Sequence, residues 1–91
     1  MLHMVISKHT AESCPGRPGN QDMIPCLQKL DALLAERGIR IVGRWADPPG
    51  HTNYLVLDAP SAHAILEVLM ASGLAFHTTN EIRAVLSMDG E

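Results

Sequence analysis

The sequence predicts an α+β fold of the ferredoxin-like kind, a four-stranded antiparallel sheet carrying two helices on one face. Three observations predict it. Segments of period two and period 3.6 follow one another in the order β-α-β-β-α-β. Each helical segment closes on a glycine. Finally, 91 residues, 46% of them apolar, suffice for a single domain over 1–91 and leave no room for two. In this topology the crossovers are right-handed and the spatial strand order is 4-1-3-2. Strands one and two then run one way, and strands three and four run back.

Each element has a local cause. Residues 2–9 alternate Leu2, Met4 and Ile6 against His3, Val5, Ser7 and His9, a strand with two different faces. Residues 10–21 gather Pro15, Gly16, Pro18, Gly19 and Asn20, which neither a helix nor a ladder accepts, so a loop is expected there. Met23, Leu27, Leu30 and Leu34 recur at helical spacing; Asp22 is placed to cap, Pro25 suits the first turn and Gly38 is an αL stop, giving a helix over about 23–37.

Two strands, from Ile39 to Trp45 and from Thr52 to Asp58, flank a turn at Asp47-Pro48-Pro49-Gly50. Ser61 is a good N-cap for a second helix from Ala62 to Ser72, with Ile65, Leu66 and Leu69 on the buried stripe and Gly73 closing it. Thr79 to Leu86 alternates again, Ile82, Ala84 and Leu86 against Glu81, Arg83 and Val85. If the first set meets the helices, the charged pair Glu81 and Arg83 faces away from them.

Composition narrows the function classes. Seven Lys and Arg against ten Asp and Glu give a net charge of −3 with no basic stripe, and Trp45, Tyr54 and Phe76 are the only aromatic residues, so no nucleic-acid surface is expected. The longest apolar stretch, Ala62 to Met70, is interrupted by His63 and Glu67 and falls far short of the roughly 20 residues that span a bilayer. The first residues lack the pattern of a signal peptide, and two cysteines, Cys14 and Cys26, read as reduced thiols, so a cytoplasmic location is expected. Five histidines are the unusual feature: protonating all of them adds five charges and moves the net charge from −3 to +2.

Gly43-Arg44-Trp45-x-Asp47, the strand end Leu57-Asp58-Ala59, and the last strand Glu81-Ile82-x-x-Val85-Leu86 carry a resemblance. Over roughly 39–88 the chain resembles a family of small bacterial domains of unknown function within the dimeric α+β barrel superfamily. The resemblance implies a homodimer in which two four-stranded sheets pack face to face, with ligands or chemistry inside the barrel or at its mouth. It supplies no catalytic residue.

The strand directions gather the chemically loaded residues at one rim. His9 closes strand one, Cys14 lies just beyond, Trp45 and Asp47 close strand two, His51 and Asn53 open strand three, and His77 precedes strand four. His3 falls at the opposite rim and His63 on helix two. Imidazole and thiolate ligands suit Zn, Cu or Ni, which makes His9, Cys14, His51 and His77 the candidate ligands of a transition-metal cofactor. No C-x-x-C or H-E-x-x-H motif accompanies them.

Two other readings use the same rim. In one, the protein is an isomerase, decarboxylase or monooxygenase, with His9 or His51 as acid or base and Trp45, Asp47, Asn53 and Tyr54 around a small-molecule ligand. In the other, the domain is a non-catalytic interaction module. All three need the same scaffold, and the residues alone leave open whether the protein is an enzyme.

Overall fold

The computed structural model describes residues 1–12, 14 and 23–89. The elements are β1 (Leu2–Lys8), α1 (Ile24–Glu36), β2 (Arg40–Asp47), β3 (Thr52–Asp58), α2 (Ala62–Ala71), a 3-10 turn (Leu74–Phe76) and β4 (Thr79–Val85). All sheet neighbours are antiparallel, in the order β2-β3-β1-β4, as the ferredoxin-like topology requires.

Register decides which side chains meet the helices. Val5 stands opposite Leu55 in β3 and Ile82 in β4, and Ser7 stands opposite Asn53 and Asn80. This is the helix side, and His3, Val5 and Ser7 are all buried on it. The first strand therefore turns its more polar face inward, while Leu2, Met4 and Ile6 lie on the face that no helix among the described residues covers. Tyr54, Val56, Trp45, Gly43 and Val85 share that open face by the same pairing. Glu81 and Arg83 lie there too, opposite Ile6 and Met4, and approach each other to 3.8 Å.

The core is a single cluster of Val5, Leu30, Leu34, Ile39, Leu57, Ile65, Val68, Leu69 and Leu74 with their neighbours, filling the space between helices and sheet. Cys26 packs against it from α1. The Arg37 guanidinium donates to Glu67 at 3.0 Å and joins the two helices at the surface.

Helix ends follow the sequence in three places of four. The Ser61 hydroxyl accepts from the Ala64 amide at 3.1 Å and caps α2. Gly73 at φ 84° and Gly38 at φ 69° take the left-handed conformation that ends each helix. The start of α1 follows it in part, with Pro25 in the first turn. Its cap residue is Met23, with helical dihedrals and no side-chain capping bond, while Asp22 lies outside the described residues. Met23 is instead buried in the core, so packing anchors this helix start.

Candidate metal centre

The β1–β3 ladder places the site. Lys8 pairs with Thr52, and one step further the His9 amide donates to the His51 carbonyl at 3.0 Å. The two histidines are thus cross-strand neighbours at the sheet end. The β2–β3 hairpin makes this possible. The His51 amide donates to the Pro48 carbonyl at 3.1 Å, the Gly50 amide donates to Asp47 Oδ1 at 3.2 Å, and the Thr52 hydroxyl donates to the Gly50 carbonyl at 2.8 Å.

His51 itself occupies the left-handed region at φ 50°, alone among described non-glycine residues. A glycine would adopt this turn position without strain, so an imidazole held there costs about 1–2 kcal/mol. Strain of this sort tends to be kept where a side chain is needed.

The imidazole rings of His9 and His51 meet edge to face, their centroids 5.2 Å apart and their planes at 77°. Both ring nitrogens of His9 and Nδ1 of His51 are buried with no hydrogen-bond partner among the described residues. Each such group costs about 1–3 kcal/mol relative to a satisfied one. Burial, with the neighbouring His51 second, holds the His9 imidazole below its ordinary pKa, so the ring tends to its neutral form.

Cys14 completes the group. Its amide is directed at the Ala11 carbonyl, 3.5 Å away, and one donor atom each from His9, Cys14 and His51 lie within 4.8 Å of one another. In a tetrahedral zinc site, neighbouring donors stand roughly 3.3–3.8 Å apart, so a bound ion would draw this set in by about 1 Å.

The other rim residues divide. His77 stands outside the three-donor group and lines, with Lys8, His9, Thr10, Phe76 and Thr79, a shallow depression of about 440 Å³. Trp45 and Tyr54 are paired on the open face and Asn53 is turned to the helix side, yet all three line one groove beside α1, which Asp47 does not reach. Asp47 is engaged in the hairpin. Phe76 is 79% exposed and lines the depression on the His77 side, apart from the groove that Trp45 and Tyr54 line. His3 Nδ1 lies 3.2 Å from the Met1 carbonyl and His63 beside Glu67 on α2, both away from the cluster.

Across the sheet end, Gly43 explains its neighbour two residues on. A side-chain carbon added at Gly43 would stand 2.6 Å from the Trp45 ring, because the indole lies across this position. Gly43 and Trp45 are therefore a packing unit on the open face, while Arg44 between them is turned to the helix side.

No protein-family model matches the chain, and no curated protein matches it. Solved structures do. One is the protein SCO4226 from Streptomyces coelicolor A3(2), 27% identical, with a TM-score of 0.64 over 93% of this chain and 98% of that one. Another is muconolactone isomerase, 20% identical, with a TM-score of 0.57 over 100% of this chain and 94% of that one. The chain has the ferredoxin-like α+β fold. These likenesses also support the dimeric α+β barrel superfamily. No helix among the described residues is long and apolar enough to cross a membrane.

Proposed function

We propose that this protein binds a transition-metal ion, Zn, Cu or Ni, through His9, Cys14 and His51. The convergence of one thiol and two imidazoles within 4.8 Å carries the proposal, because three of the imidazole nitrogens are buried and without a hydrogen-bond partner among the described residues. Two imidazoles and a thiolate form a borderline-soft set that matches these ions rather than Mg or Ca. Ligation would satisfy one nitrogen on each ring, and the neutral state favoured at His9 leaves no proton there for a metal to displace. Three protein ligands leave a coordination position for water, for an incoming molecule or for His77, which shares the adjoining depression with His9.

The working form we propose is a cytoplasmic homodimer. Its support is the open sheet face, where Met4, Ile6, Tyr54, Val56 and Trp45 lie with no helix of the described residues above them and Trp45 is 60% exposed. A domain of 91 residues buries only about 60% of its unfolded surface, and a second copy would add to that. Membership of the small Gly-Arg-Trp-x-Asp family belongs to the same proposal, supported by the packing of Trp45 across Gly43.

Native mass spectrometry with elemental analysis, on protein purified without an affinity tag or chelator, tests both parts. A dimer carrying one Zn, Cu or Ni per chain is the expected result. Metal-free protein that also refuses added metal would overturn the metal reading, and a monomer at micromolar concentration would overturn the dimer.

A further inference from the structure

A groove of about 530 Å³ opens between α1 and the sheet, separate from the three metal-ligand candidates, none of which lines it. Its volume falls in the range that takes a small organic molecule. Met23, Leu27, Leu30, Leu55 and Leu74 form its apolar walls. The space exists because β2 offers little to fill it. Ala46 presents only a methyl group on the helix side, opposite Asn53, while the Arg44 side chain reaches to Asp31 of α1 at 2.8 Å. Arg44 and Asp31, the charged residues of the lining, thus neutralise each other.

Two polar side chains stand on the helix side of the sheet at the floor of this groove. Ser7 and Asn53 are direct cross-strand partners on the helix side, and both line the groove. Ser7 is only 3% exposed and Asn53 is half-buried, and no hydrogen bond joins either side chain to another described residue. Thr78, nearby, is already engaged: it donates to the Leu74 carbonyl and accepts from Asn80, each at 2.8 Å. A hydroxyl and an amide side by side in an apolar groove are the equipment for reading one polar group on an otherwise apolar ligand.

We propose that this groove binds a small, uncharged, largely apolar molecule bearing a hydroxyl or carbonyl, whose polar end is held by Ser7 Oγ and the Asn53 amide. The site stands independently of the metal ligands.

The test titrates isotope-labelled, chelator-treated protein with p-cresol and with toluene, which differ by one hydroxyl, and follows backbone amide shifts. Both probes should give saturable shifts centred on Ser7, Asn53, Leu55 and Leu27, with p-cresol bound more tightly. Ser7→Ala combined with Asn53→Ala should weaken p-cresol by about three- to tenfold and leave toluene unchanged. Ser7→Ala alone, which removes no existing hydrogen bond, should give about two- to threefold. Ala46→Phe, filling the groove from an exposed strand position, should weaken both probes. Shifts that fail to saturate, shifts centred on the open sheet face, or equal losses for the two probes in the double variant would overturn the proposal.

Discussion

His51 occupies a backbone conformation that suits glycine, and it does so beside a second imidazole whose nitrogens have no hydrogen-bond partner among the described residues. Stability and binding are therefore set against each other at one residue. His51→Gly in metal-free protein is expected to raise stability by about 0.5–1 kcal/mol, because relief of the left-handed strain exceeds the added freedom of the unfolded chain. Thermal melting checks it, a gain of that size corresponding to a few degrees in a domain of this length. The same variant should lose metal affinity. His9 adds a pH dependence of definite sign. Its pKa is lowered on folding, so below the ordinary value of 6.5 the unfolded chain binds more protons than the folded one. Its contribution is fully present above that value and declines as pH falls through it. Melting of chelator-treated protein between pH 7.5 and 5 should show a fall that His9→Asn makes shallower; an unchanged slope would contradict the burial of the ring.

Among the elements, α2 and α1 are held at their N-termini by different means. Ser61→Ala removes the α2 cap and should cost about 1 kcal/mol in denaturant unfolding. At the start of α1, Met23 is buried and makes no capping bond, so Met23→Ala should cost more, about 2–5 kcal/mol, through the cavity it leaves. These two ends also show what a sequence displays. Ser61, Gly73 and Gly38 act through neighbours within a few residues, and their roles are legible in the local order of residue types. The strands are legible by alternation, and the sharing of one rim by His9, Cys14 and His51 follows from strand direction. The pairing of His9 with His51 is not local, since it depends on the β1–β3 register, and nothing in residues 2–9 alone specifies it. Cys14 follows an irregular stretch with no established ligand spacing, which hides it from any motif. Alternation assigns Ser7 and Asn53 to faces, but only the packed structure shows α1 standing away from β2 to leave space above them.

Among the described residues the sheet has one covered face and one open one. Helices bury His3, Val5 and Ser7, and the longer apolar side chains Leu2, Met4 and Ile6 are left for something else to cover. A second copy is the proposed cover, and the single tryptophan reports on it. Trp45 lies on this face, so its emission should shift to the red as a dimer is diluted into monomers, while Met4→Glu should give monomer at all concentrations by sedimentation. An emission maximum independent of concentration, with monomeric sedimentation throughout, would remove the dimer. The metal centre is more central, and nickel titration of chelator-treated protein addresses it directly, following heat and near-ultraviolet absorption together. If His9, Cys14 and His51 are ligands, one ion binds per chain, a thiolate-to-metal charge-transfer band grows in and vanishes in Cys14→Ser, and His9→Ala and His51→Ala each weaken binding by at least about tenfold. Uptake that these three substitutions leave unchanged, or no uptake of nickel, copper or zinc, would contradict a metal centre at this rim.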